Sequence, residues 1–143
     1  MKAVLLAFLL AAGAARAELP QPDYFTGIYE RVGRSAGPEP ALLDDLVRID
    51  PAPDGEALEL RVCAPEGAPG SAALRLDFTE LGDVENLLQG GTGAAALYCQ
   101  FFNDAGNYPL LACSGGAETG ETPARFMLWA KTDAIPEDCG GQD

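Results

Sequence analysis

The residue types that could do chemistry in this chain are few. There is no histidine anywhere, so neither Ser-His-Asp nor Cys-His nucleophilic catalysis is available. Ser114 stands in "ACSGG", which lacks the G-x-S-x-G elbow that exposes a nucleophilic serine. "QGGTG" (Gln89–Gly93) is glycine-rich, but no Lys-Ser/Thr follows it to hold a phosphate, so it reads as a flexible turn. Asp44 and Asp45 are the nearest to a carboxylate pair for glycoside hydrolysis. As neighbours on a strand they would point apart. Beyond the first residues Lys131 is the only lysine, so Ser-Lys or Schiff-base chemistry would rest on it alone. The residues give a non-enzyme with no cofactor.

Four cysteines remain: Cys63, Cys99, Cys113 and Cys139. With no C-x-x-C and no histidine they lack zinc spacing, so no metal site is expected. An even number in an exported chain reads as two disulfides, for which three pairings exist. Export is indicated by "MKAVLLAFLLAAGAARA". Lys2 gives a short positive region, Val4 to Ala12 an apolar run, and Ala15-Arg16-Ala17 a small-residue cleavage site. The expected organisation is a signal peptide over 1–17 and one domain over 18–143, periplasmic or secreted. No later apolar stretch is long enough to span a bilayer, so no membrane insertion is expected.

Cleavage would remove Lys2 and Arg16. Seven basic residues then face 22 acidic ones, a net charge of −15. That balance excludes nucleic acid, whose phosphates need Lys and Arg to displace counterions, and disfavours anionic membranes. It favours solubility and steering towards a basic partner. Basic residues are so scarce that Arg31 and Arg34 are each expected to have an ion-pair partner within the protein.

The elements that must position these residues read as strands. "YFTGIYERVG" (24–33) places Ile28 and Val32 on one face, with Glu30 between them. "DLVRID" (45–50) is a short strand. "ALELRVC" (57–63) sets Leu58, Leu60 and Val62 against Glu59, Arg61 and Cys63. "ALRLDFT" (73–79) sets Leu74, Leu76 and Phe78 inward. "ELGDVENLLQGG" fits either an irregular strand or one helical turn capped by Asp83 and ended by Gly90. The helical turn is the slightly better fit. "ARFMLWAK" (124–131) is a strand with Phe126 and Leu128 on one face and Met127 and Trp129 on the other, both faces partly covered.

Between them lies "CQFFNDAGNYPLLAC" (99–113). With the turn centred on Gly106, "AAALYCQFF" and "YPLLACS" form a hairpin in which Phe101 faces Leu111 and Cys99 faces Cys113. Facing cysteines are close enough to bond. Cys63 and Cys139 then pair by elimination, and Cys139 pins the tail. Asn103, Asp104, Gly106 and Asn107 tolerate turn backbone, so the polar centre needs no ligand. A calcium loop would need further acidic ligands and a closing Glu. Phe101, Phe102 and Tyr108 flank this tip. With Asp104 and Asn107 they are candidate interaction residues. Phe101 and Phe102 must point to opposite faces.

Seven strands and one doubtful element give an all-β fold, a small antiparallel barrel or sandwich of about seven or eight strands with at most one short helical turn. The entry "DYFTGIY" (23–29) resembles the first strand of lipocalin-like barrels, with Gly27-Ile28-Tyr29 where those have Gly-x-Trp. Avidin-like barrels and barrel-type periplasmic inhibitors share the layout. The resemblance implies a calycin-type barrel closed at one end, with no ligand residue carried over. Two functions are compatible with these readings. One is an interaction module, such as an inhibitor of a basic protein. The other is a carrier of a small apolar ligand inside the barrel. An accessory subunit of an envelope complex would share the sequence features of the first.

Overall fold

The computed structural model describes residues 20–63, 72–81, 84–103, 109–116, 120–133 and 139. Eight strands run in chain order around one sheet: β1 Gly27–Arg34, β2 Leu42–Pro51, β3 Ala57–Val62, β4 Leu74–Leu81, β5 Val84–Gly90, β6 Leu97–Asn103, β7 Pro109–Gly115 and β8 Ala124–Ala130. Each pairs antiparallel with the next, and β8 pairs back to β1, so the barrel closes and no sheet edge is left unpaired. The fold is all-β, with two lone 3-10 turns, Pro22–Phe25 and Gly93–Ala95. An eight-stranded closed barrel of this kind is compatible with the calycin-type layout. No helix among the described residues is long and apolar enough to cross a membrane.

Alternation along each strand fills the interior. Tyr29 faces Val47, Ile49 faces Leu60, Leu58 faces Leu76, Leu88 faces Cys99 and Leu111 faces Leu128. All but Leu60 are essentially without solvent contact, and Leu60 nearly so. The interior of β1 therefore consists of Tyr29, Arg31 and Gly33, while Ile28 and Val32 face outward. The hairpin register is the expected one. Phe101 faces Leu111 and Cys99 faces Cys113, with the two cysteines bonded inside the core at a Cα separation of 4.0 Å. The second disulfide joins Cys63 to Cys139 and ties the tail to the end of β3.

The segment read as a helical turn is strand β5, which is a correction. Leu87 and Leu88 are both buried, one on each face of the sheet, as a strand allows. Asn86 takes a left-handed backbone (φ 62°), and the β4–β5 register slips between Thr79 and Leu81. That irregularity hides the period of two. β8 agrees with expectation. Its inner face is covered, and on the outer face Met127 is partly buried and Trp129 half exposed.

One end of the barrel is plugged, and at the other a loop bridges two hairpins. At the end where β1 begins, the 3-10 turn drops Phe25 inside with no exposure. Its ring lies 5.0 Å from Phe101 and 5.8 Å from Phe78. The Tyr29 hydroxyl donates to the Phe25 carbonyl oxygen at 2.8 Å, which fixes the turn over the opening. At the other end the 35–41 loop bridges to Thr122 through Gly37 in both directions, and Ala36 packs onto the core. Gly33 lets β1 and β8 approach closely there. A Cβ would collide with the Arg125 carbonyl oxygen and the Phe126 backbone.

Candidate functional site

The polar residues inside the barrel satisfy one another. On β1, Arg31 points inward and meets the inward Asp45 of β2 in a two-pronged pair. Nε donates to Oδ1 at 2.7 Å and Nη2 to Oδ2 at 2.6 Å. Its guanidinium also lies over the Phe126 ring, 5.7 Å from the centroid. Asp44 points outward, so the adjacent carboxylates do part and form no catalytic pair. Among the described residues, no group of three or more His, Cys, Asp or Glu side chains is placed to hold a metal ion, and no buried side-chain polar atom lacks a partner.

Two regions of the outside offer recognition chemistry. The first is the rim at the plugged end, where β6 ends and β7 begins. Phe101 is inside the barrel, 6% exposed, and belongs to the aromatic plug. Phe102 points out and is 44% exposed. With Pro20, Tyr24 and Asn86 it lines a groove of about 420 Å³. Tyr24 stands on the plug, its ring edge-on to Phe25 at 5.1 Å. Leu81, also exposed, ends β4 at the same side. Asp104, Asn107 and Tyr108 lie outside the described residues.

This rim is acidic. Asp23, Asp54, Glu56, Glu80 and Asp133 are exposed at the plugged end, against Glu39 and Glu121 in the described loops of the other. The nearby cations are already engaged. Arg75 pairs with Asp54 and Asp77, and Lys131 with Asp133 and Glu30. The Glu56 backbone N–H and the Arg75 guanidinium hold the Asp54 carboxyl below its ordinary range. The Lys131 ammonium does the same for Asp133. These acids stay charged at neutral pH.

The second region was missed by the sequence reading and corrects it for Arg34. Arg34 points outward at the end of β1 and has no ion pair among the described residues. Its direct cross-strand neighbour is another arginine, Arg125 of β8, which has none either. The other five basic residues of the described chain are all paired. From the two arginines a groove of about 680 Å³ runs over the outer faces of β1, β8, β7 and β6 to Leu87 of β5. Register makes it two parallel rows. Arg34, Arg125, Ser114 and Tyr98 form the polar row. Val32, Met127, Ala112, Gln100 and Leu87 form the other, apolar except for Gln100. A count of seven basic residues was legible in the sequence. The meeting of Arg34 with Arg125 was not, because it depends on barrel closure between residues 91 positions apart.

No protein-family model, curated protein sequence or solved structure matches the chain.

Proposed function

We propose that this protein is an exported, non-catalytic binding module that engages a basic protein partner through its acidic, aromatic rim. The reading is supported above all by the filled interior. Phe25, Phe78 and Phe101 occupy the plugged end, the Arg31–Asp45 pair lies further along the interior, and Ala36 of the 35–41 loop packs onto the core. A carrier needs an apolar cup with one end open, whereas a module that binds by its surface needs a rigid frame. The two disulfides fit an oxidising compartment, as the leader-like N-terminus does. The calycin-type resemblance supports the same layout, with the chain entry turned into a plug.

The rim supplies what such contacts use. Phe102 and Tyr24 are rigid aromatic anchors beside an indentation, and the surrounding carboxylates steer a cationic surface into place. An inhibitor of a cationic envelope enzyme fits this description. The test is capture of basic proteins from the envelope extract by the immobilised mature chain. It is run at low and high salt, with Phe102→Ala and Glu80→Lys beside the parent. The expected result is retention of a basic protein that falls at least tenfold at high salt and in both variants. Retention that ignores salt and both substitutions would overturn the rim as the binding surface.

A further inference from the structure

We infer that the outer groove at Arg34 and Arg125 is a second, separate binding site, and that its ligand is a small amphipathic monoanion, a single carboxylate on an apolar chain. The charge distribution carries this inference. The chain has 22 acidic residues, and every other basic side chain in the described structure takes one or two of them as partners. These two arginines instead sit directly opposite each other across β1 and β8, an arrangement of like charges that costs stability on a sheet. Asp44, diagonal to Arg34 on β2, forms no ion pair with it. Two adjacent guanidinium forks with unspent donors match one carboxylate.

The rows set the rest of the ligand. Next to the arginines the polar row continues with the Ser114 and Tyr98 hydroxyls. Alongside it, two residues away on each strand, run Met127, Ala112 and Leu87. Five strands span about 19 Å at the usual strand spacing. A linear molecule lying across the strands would place its charge at β1 and β8 and its apolar length towards β5. Because the barrel is closed, a peptide cannot add as a strand here. A ligand with charge along its whole length would meet the acidic surface of a chain at −15. A single terminal charge avoids that repulsion.

The experiment is an amide-resolved NMR titration of the full mature protein with octanoate, with octanol and with acetylated hexaglutamate. Octanoate is expected to shift the amides of residues 32–34, 98–100, 112–114 and 125–127 saturably, and octanol at least tenfold more weakly. The double variant Arg34→Gln/Arg125→Gln is expected to weaken octanoate at least tenfold. Asp44→Asn should strengthen it two- to fivefold, and Arg61→Gln on β3 should leave it unchanged. Since removing either arginine relieves like-charge contact, the variants fold, and their spectra verify it. Octanoate that shifts no amide, shifts the interior instead, or binds the double variant equally would overturn the site. Tighter binding of hexaglutamate at the same amides would overturn the ligand class and assign the groove to an acidic peptide.

Discussion

Arg31 and Arg34 lie three residues apart on one strand and have opposite surroundings. Arg31 points into the barrel, where Asp45 takes both its donors and Phe126 covers its plane. Arg34 points out, lies across from Arg125 and has no acid paired with it among the described residues. The interior spends its polar groups on one another and becomes a frame. The outside leaves Arg34 and Arg125 without an acid among the described residues and Phe102 half exposed, and it is the surface that the proposed recognition uses. The same division separates Phe101 from Phe102, one ring in the plug and the next on the rim.

Substitutions on the two sides should therefore read out differently. The largest effect is expected at the plug. Phe25→Ala should cost about 3–5 kcal/mol in denaturant unfolding, because the cavity lies between Phe78 and Phe101 with little room to collapse. A loss below about 1 kcal/mol would mean that the end is not packed. Next comes Arg31→Gln, expected to cost about 2 kcal/mol. That is below the value for a fully buried pair, because Asp45 keeps about a third of its side chain exposed.

Tyr29 gives the pH test of the frame. Burial pushes its phenol above the ordinary value of 10.0, so the folded state holds the neutral form. Its contribution is complete below pH 10 and is lost as the pH rises, when the unfolded phenol ionises and the folded one does not. Stability should fall by up to about 1.4 kcal/mol per pH unit above pH 10 from this group. Tyr29→Phe should flatten that slope relative to the parent while costing about 1 kcal/mol at neutral pH for the lost bond to Phe25. The smallest effect is expected outside. Arg34→Gln should change stability by no more than about 0.5 kcal/mol, in the stabilising direction. A loss as large as that of Arg31→Gln would erase the contrast between the faces.

What could be read from the sequence follows the same line. The hairpin was legible to the residue, because "CQFFNDAGNYPLLAC" carries its own turn and side chains alternate with period two. The inward sets of β3 and β4 were legible for the same reason. β5 was not, since Asn86 and the register slip interrupt alternation. β2 begins three residues before its expected start, where Leu42, Leu43 and Asp44 show no clean pattern. The plug was visible only as an aromatic entry, because "DYFTGIY" does not reveal that the chain turns at Phe25 before the strand begins. The arginine groove is a property of closure and had no local signal.

The central claim, that this barrel is a filled frame and binds by its outside, is tested most directly by native mass spectrometry. The protein should be purified from the cells that make it without reducing agent and washed with high salt to strip ion-paired ligands from the open groove. The account predicts the mass of residues 18–143 less four hydrogens, with nothing retained. A retained mass of a few hundred daltons, released only on unfolding, would contradict it and place the ligand inside the barrel.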